Sequence, residues 1–416
     1  MLVQIKVFLQ GQVHSPPSPF RIVILGYRDS FDSGLDQTVF KLQRDISQLH
    51  PENIIHFLDI GSSQDHSPTE IVATIADLAQ SQPTSRAAIE LAKPSLLSTP
   101  RKPKAKIALS CDFDALSAFL GTGAHADNNM ADYSTGIFSA RVGTRRLLHT
   151  LRKYNIAGKS TWFIPGHTME TFPDAVREVV SAGAEIGLHG YAHEGAYQMT
   201  VQQERDVLVK CMDVAQRLTG KKVAGYRAPM YQVRESTIEL LRELGFLYDS
   251  SLSHHDSQPY FCPWNSVPVS AVDFSKPAET WMHPTPVAAL DVPPPAGVDA
   301  GGRNTAPLVE IPTGWNNEDM MALQYFPHVA NTQGFVDARV VEQRWKDMFL
   351  WLWENAQLDR EDGTFVFPIL MHPDTSGMLH VIGMVERFVA WLRNWGQLVE
   401  FHTFSDIARD WLKERI

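Results

Sequence analysis

EIGLHGYAHE, residues 185–194, places a short apolar run directly ahead of two histidines four positions apart, His189 and His193. The run reads as a buried strand, so the imidazoles fall at its C-terminal end. The arrangement recurs. IALSCDFD (107–114), STWFIPG (160–166), AGYRAPM (224–230), LVEIPT (308–313), TFVFPILMH (364–372) and LVEFHT (398–403) are likewise short and dense in β-branched and aromatic residues. Between these segments, helical apolar spacing runs over 142–155, 173–183, 201–220, 233–245, 338–356 and 378–396. In the last of these, Ile382, Val385, Phe388, Val389 and Leu392 form a stripe that reads as core. Alternation of strands and helices predicts an α/β fold with a parallel sheet or barrel.

Upstream, PSLLSTPRKPKAK closes on a charge run that reads as a solvated linker over 101–106. That places a catalytic domain at 107–416 and an extension at 1–100. FRIVIL (20–25) and NIIHFLDI (53–60) read as strands, and 36–49 and 69–80 carry helical spacing. The extension is therefore either a small β-α-β-α unit or a stretch with little order. Residues 257–307 are rich in proline and glycine and lack a period, the pattern of a long functional loop.

Composition limits the partners. A chain of 416 residues with 44% hydrophobic content can bury a large core and exceeds the usual single domain. Its formal charge of -10, with no Lys/Arg stripe interleaved with aromatics, argues against nucleic acid. Three widely spaced cysteines without a CxxC pair fit a reduced compartment. The apolar stretch near the N-terminus is broken, no run approaches 18 uncharged apolar residues, and no N-x-S/T sequon occurs. The expectation is a cytoplasmic protein that does not enter a membrane.

Polar side chains gather where the strands end. CDFDA supplies Asp112 and Asp114, GLHGYAH supplies His189 and His193, GYRAPMY supplies Arg227, and ILMHPD supplies His372 and Asp374. In parallel α/β architectures the active site forms at those ends. Two neutral imidazoles and a carboxylate make a catalytic zinc set with a position left for water. A second carboxylate can accept that water's proton, an arginine can keep it ionised, and a histidine can protonate a poor nitrogen leaving group. Taken singly, each feature has a plainer explanation. Sixteen histidines produce an HxxxH by chance, a DxD is commonly a turn or cap, and a lone arginine or strand-end histidine is usually structural. Their order along successive strand ends is what points to a site.

CDFDA, GLHGYAHE, GYRAPMY and ILMHPDTSG also resemble the successive motifs of the polysaccharide deacetylase (NodB-homology) superfamily. NNMADYSTGIFSARVGTRRLL, STWFIPGHTMETFP, YDSSL, LVEIPTGW and HTFSDIARDW are similar to its cytosolic branch, which includes chitin-deacetylase-like proteins and cyclic imide hydrolases. The resemblance spans about residues 105–413. It implies a distorted (β/α) barrel of about seven parallel strands that hydrolyses carbon–nitrogen amide bonds with a divalent metal, usually zinc. Carried over by position, it implies Asp112 as base, Asp114, His189 and His193 as metal ligands, Arg227 as the residue orienting the base, and His372 as acid. Asp249, in YDSSL, would be the aspartate that tunes His372. Relatives are commonly homo-oligomers, and the resemblance extends that expectation here.

The sequence departs from the pattern in places. Asp112 and Asp114 flank Phe113, where many members have adjacent aspartates; on a straight strand such alternate residues share a face. Met230 stands where others have tyrosine, and its backbone N–H can still donate to an oxyanion. Met378 replaces an arginine common in the branch, and WNNED (315–319) replaces a more acidic W-x-x-D-D. The leading expectation is de-N-acetylation of a chitin-like or related saccharide. A second is opening of a small cyclic imide, which suits a chain without a secretion signal. A third is a catalytically silent carbohydrate-binding protein on the same fold.

Overall fold

In the computed structural model the described residues are 104–415, apart from 126–128, 264–270, most of 286–305, 327–328, 330–333 and 335, together with Arg21–Gly26 and Ile54–Asp59. The chain divides into two compact units, Met1–Arg101 and Lys102–Ile416. In the first, β1 (Arg21–Gly26) pairs in parallel with β2 (Ile54–Asp59), the pairing that a βαβ crossover gives. The helices read over 36–49 and 69–80 lie outside the described residues.

In the second unit the strands are β3 (Ala105–Asp112), β4 (Thr161–Ile164), β5 (Glu185–Leu188), β6 (Gly225–Tyr226), β7 (Tyr248–Asp249), β8 (Tyr260–Phe261), β9 (Val309–Glu310), β10 (Phe365–Met371) and β11 (Val399–Phe401). Their order is β10-β3-β4-β5-β6-β7-β9-β8, with β11 also on β3. All pairs are parallel except β8 with β9. Seven parallel strands therefore curl from β10 round to β9. At the seam, Glu318 forms a single parallel bridge with Leu370, and the Asn317 amide donates to the Pro368 carbonyl (2.9 Å).

Strand β3 begins at Ala105, inside the stretch read as a 101–106 linker. Lys104 N–H donates to the Leu398 carbonyl and the Lys104 carbonyl accepts from Phe365, so the backbone is already held in the sheet. The Lys106 side chain leaves toward Asp410 (3.2 Å). Charge at the alternate residues Lys104 and Lys106 marked a strand with a wet edge.

The main helices are α1 (Met130–Phe138), α2 (Thr144–Lys153), α3 (Pro173–Ser181), α4 (Val201–Thr219), α5 (Glu235–Glu243), α6 (Ala338–Asn355), α7 (Leu379–Arg393) and α8 (Phe404–Arg415). Helix α4 has the sequence signature of a helix start. Thr200 accepts from Gln203 N–H while the Gln203 side chain accepts from Thr200 N–H, and Gly220 ends it in the left-handed conformation (φ 70°). Helices α6 and α7 pack through buried Trp345 and Phe388, their rings 5.3 Å apart.

Helix α8 fills the barrel. Phe404, Ile407, Ala408 and Trp411 recur at helical spacing and join Ala108, Phe163, Tyr248, Val309, Ile311 and Val366 in one buried cluster. Burying an aromatic ring contributes up to about 3 kcal/mol. This apolar plug is also the floor beneath the polar groups at the strand ends: the Arg227 guanidinium lies 4.1 Å over the Phe163 ring.

Candidate active site and metal centre

Each polar side chain is delivered by a strand end or by the turn that follows it. Strand β3 ends on Asp112, and Phe113 N–H reaches across to the Phe163 carbonyl (2.9 Å), which keeps the chain extended through Asp114. Strand β5 ends at Leu188, and His189 follows, its Nδ1 on the Arg227 carbonyl (2.7 Å). That hydrogen bond leaves Nε2 as the lone-pair nitrogen facing the site.

The three residues between the histidines, with Glu194 just after them, explain how His193 returns to the same spot. Glu194 accepts from Tyr191 N–H (2.8 Å) and Ala192 N–H (2.5 Å), folding the loop back on itself. Gly190 sits at φ 66°, and a Cβ there would come within 2.9 Å of Pro229. His193 itself takes φ 64°, a strained conformation for a residue with a side chain. The imidazole rings end 4.9 Å apart.

One ligand atom from each of Asp114, His189 and His193 falls within 4.8 Å of the others, and all three residues are buried. His189 Nε2 is 3.5 Å and His193 Nε2 3.7 Å from Asp114 carboxylate oxygens. Ligand atoms around a tetrahedral zinc at about 2.0–2.1 Å stand roughly 3.4 Å apart, close to these separations. Asp114 Oδ1 is buried and has no hydrogen-bond partner among the described residues. A buried carboxylate oxygen left so is costly unless something binds it. Burial pushes both imidazoles down, toward the neutral form a metal needs. Burial also pushes the Asp114 carboxyl up, opposed by His372 and reinforced by Asp112, and a bound cation would reverse that pressure. The residues therefore fit a divalent metal.

Asp112 stands beside this set, 3.6 Å from His189 Nε2. Burial would raise its carboxyl, but Arg227, then His189 and His372, outweigh that and hold it below its ordinary range. Arg227 is wholly buried, and its donors are all engaged: Nη1 to Asp112 (2.7 Å) and Ser110, Nη2 to the Ser250 and Thr313 hydroxyls (both 2.9 Å), and Nε to the Ser250 carbonyl. A guanidinium fixed on every side gives Asp112 one orientation.

His372 follows β10. Its Nδ1 meets Asp319 Oδ1 at 2.7 Å, its backbone N–H donates to Asp319 Oδ2 at 2.8 Å, and the Ser376 hydroxyl donates to the same oxygen. Burial would lower the imidazole's affinity for a proton. Asp319, assisted by Asp112 and Asp114, overcomes this and holds His372 well above its usual range.

The carboxylate on His372 is thus Asp319 of WNNED, and the expected role of Asp249 is corrected. Asp249 ends β7 as the direct register partner of Glu310 on β9, and its carboxylate accepts from the Ser251 hydroxyl (2.7 Å). Asp319 lies in a short turn after β9, where no periodicity flagged it. The signal was present as the acidic pair beside Trp315.

These groups face a cavity of about 180 Å³. Phe119, His125 and Phe326 wall one side with edge-on ring contacts, and Tyr231 and Trp315 another. Met230 and Tyr231 both lie in the left-handed region (φ 54° and 53°) and line the cavity. Glu318 and Asp374 line it too. Burial pushes Glu318 up to about 7 and Asp374 up to about 6, each opposed by His372. A larger cleft of about 340 Å³ lies elsewhere and holds Lys106, Arg360, Asp410 and Glu414, charges largely committed to one another. Among the described residues no helix is long and apolar enough to cross a membrane. Cys111, Cys211 and Cys262 are buried free thiols.

The chain is similar to known polysaccharide and peptidoglycan deacetylases. The polysaccharide deacetylase family profile matches residues 132–248. A peptidoglycan deacetylase-like protein of Gibberella zeae is 47% identical over 312 residues, covering 75% of this chain and 88% of its own length. The peptidoglycan deacetylase of Helicobacter pylori is 36% identical over 311 residues, covering 74% and 96%. Among solved structures, a candidate polysaccharide deacetylase of Mycobacterium smegmatis superposes with a TM-score of 0.58 at 26% identity, covering 77% of this chain and 94% of that one.

Proposed function

Because this chain belongs to the polysaccharide deacetylase family, hydrolases of carbon–nitrogen bonds other than peptide bonds, we propose that it removes N-acetyl groups from a chitin-like or related saccharide with the aid of a divalent metal. The observation that carries the reading is the convergence of Asp114, His189 and His193 between two oppositely biased pairs, Asp112 with Arg227 and Asp319 with His372. Pairs of titratable groups pushed apart in this way mark a base and an acid.

Asp114, His189 and His193 would hold the metal, and zinc suits two imidazoles and a carboxylate. Bound there, it would lower the pKa of a water to roughly 7 and polarise the scissile carbonyl. Asp112, kept ionised by Arg227, accepts the proton of the attacking water. His372, kept protonated by Asp319, gives a proton to the departing nitrogen, which is a poor leaving group without one. The Met230 backbone N–H, on the strained turn at the cavity, is the donor assigned to the developing oxyanion.

A second reading has its own support. The cavity, at about 180 Å³ with aromatic walls, is smaller than the roughly 300–1,000 Å³ typical of ligand sites. That size suits a small cyclic imide, opened by the same residues to a half-amide. The test is to present zinc-reconstituted protein with N-acetylglucosamine oligomers, succinimide and glutarimide side by side, with a chelated control. Acetate release from the oligomers supports the deacetylase reading. Chelator-sensitive ring opening without acetate release replaces it with the imide reading.

A further inference from the structure

Behind the cavity a second acidic group is built into the sheet, and the chemistry above does not use it. Asp249 on β7 and Glu310 on β9 are direct register partners on neighbouring parallel strands. Both are completely buried, and together with Cys262 they offer ligand atoms within 4.8 Å of one another. Asp249 Oδ1 takes the Ser251 hydroxyl (2.7 Å), while Oδ2 is buried and has no donor among the described residues. Glu310 Oε1 takes the Leu252 N–H (3.0 Å), and its Oε2 faces the Cys262 thiol at 3.5 Å.

Two adjacent carboxylates in so buried a setting resist both being ionised, because burial and their mutual repulsion raise the pair's affinity for a proton. Among the described residues Arg227 is the cation whose charge reaches Asp249, and it opposes burial there without overcoming it. Its hydrogen bonds go instead to Asp112 and to the Ser110, Ser250 and Thr313 hydroxyls. Tyr226, Tyr260 and Cys262, which also face the pair, are all pushed up by burial and are neutral. A proton between Asp249 Oδ2 and Glu310 supplies the missing donor and removes one of the charges.

The pair connects to the site by two hydrogen bonds. Ser251 donates to Asp249 and accepts from the Ala228 N–H (2.8 Å). Ala228 lies between Arg227 and the turn that carries Met230 and Tyr231 in left-handed conformations at the cavity wall. We infer that Asp249 and Glu310 share a single proton across β7 and β9, and that this protonated pair is the positioning element for the Ala228–Tyr231 turn. The proton sharing stands without the catalytic reading; the positioning role rests on it.

Asp249→Asn and Glu310→Gln keep the shape and replace the shared proton with an amide N–H. Infrared difference spectra of the zinc-loaded full chain at neutral pH, wild type minus each variant, are expected to lose the same single band of a buried protonated carboxyl. Stability follows in sign. Burial holds Asp249 up at about 6, above its unfolded value, so its contribution is full at low pH and is lost as pH rises through the folded value. Wild type is therefore expected to lose thermal stability relative to Asp249→Asn as pH rises from about 5 to 8. For positioning, turnover of whichever substrate the enzyme accepts stays within about threefold in Asp249→Asn, and Asp249→Ala loses roughly tenfold to a hundredfold in kcat. An infrared band unchanged in both isosteres, or loss of a second metal equivalent from them by elemental analysis, overturns the shared proton. Equal turnover in Asp249→Ala and Asp249→Asn, with the band lost in both, overturns the positioning role alone.

Discussion

Replacing Asp319 with asparagine removes a charge but almost no volume, and so isolates what that carboxylate does for His372. In the native site Asp319 receives three donors: His372 Nδ1, the His372 backbone N–H and the Ser376 hydroxyl. An asparagine amide can satisfy the last two with its oxygen, which turns its NH₂ group toward Nδ1. The imidazole must then present a lone pair at Nδ1 and carry its hydrogen at Nε2, as a neutral ring. A hydrogen bond to a charged group contributes about 1.5–3 kcal/mol, which is roughly one to two pH units. The sign is fixed by the native shift. Asp319 raises the affinity of His372 for its proton, so the protonated acid persists to higher pH in wild type than in the variant. The alkaline limb of the kcat profile should therefore move down by roughly one to two pH units in Asp319→Asn, with kcat at pH 8 falling about tenfold to a hundredfold. Metal content should stay at the wild-type level, because Asp319 is not among the ligands. A profile that keeps its alkaline limb, with kcat within twofold, would refute the assignment of His372 as an acid held by Asp319.

Other substitutions separate the remaining roles. His189→Ala should lose bound zinc by elemental analysis, whereas Asp112→Asn should keep it and lose turnover by about a hundredfold or more. Arg227→Met strands Asp112 as an unpaired buried charge, and denaturant titration should show a loss of roughly 3–5 kcal/mol. Gly143→Ala puts a Cβ 1.9 Å from the Pro373 carbonyl oxygen, on backbone next to His372. It should cost about 1–3 kcal/mol and lower kcat without releasing metal, measured by thermal unfolding and turnover of the same preparation.

Much of this was legible in the residues because the chemistry sits on regular elements. Strands β3, β5 and β10 are apolar runs whose ends carry Asp112, His189 and His372, and the long helices α4, α6 and α7 announce themselves by their apolar period. The core stripe on α7 holds at Val385, Phe388, Val389 and Leu392 and gains Val381 and Met384, while Ile382 is half-buried. Helix α1 escaped notice because MADYSTGIF is short and glycine-containing, and is started by the Asn129 cap rather than by an apolar stripe. Helix α8 was hidden as a motif, although Phe404, Ile407, Ala408 and Trp411 have helical spacing. Strand β8 is two residues at the edge of an aperiodic, proline-rich stretch and exists through its antiparallel pairing with β9. Asp319 and the Asp249–Glu310 pair are contacts across the sheet, and such contacts have no period to read.

The central claim is a divalent metal held by Asp114, His189 and His193, and its most direct test is an anomalous difference map from zinc-soaked crystals collected across the zinc edge. The account predicts one strong peak about 2.0–2.2 Å from a carboxylate oxygen of Asp114 and from Nε2 of both His189 and His193. A map with no peak among those three side chains, or with zinc bound elsewhere and that site empty, would contradict it.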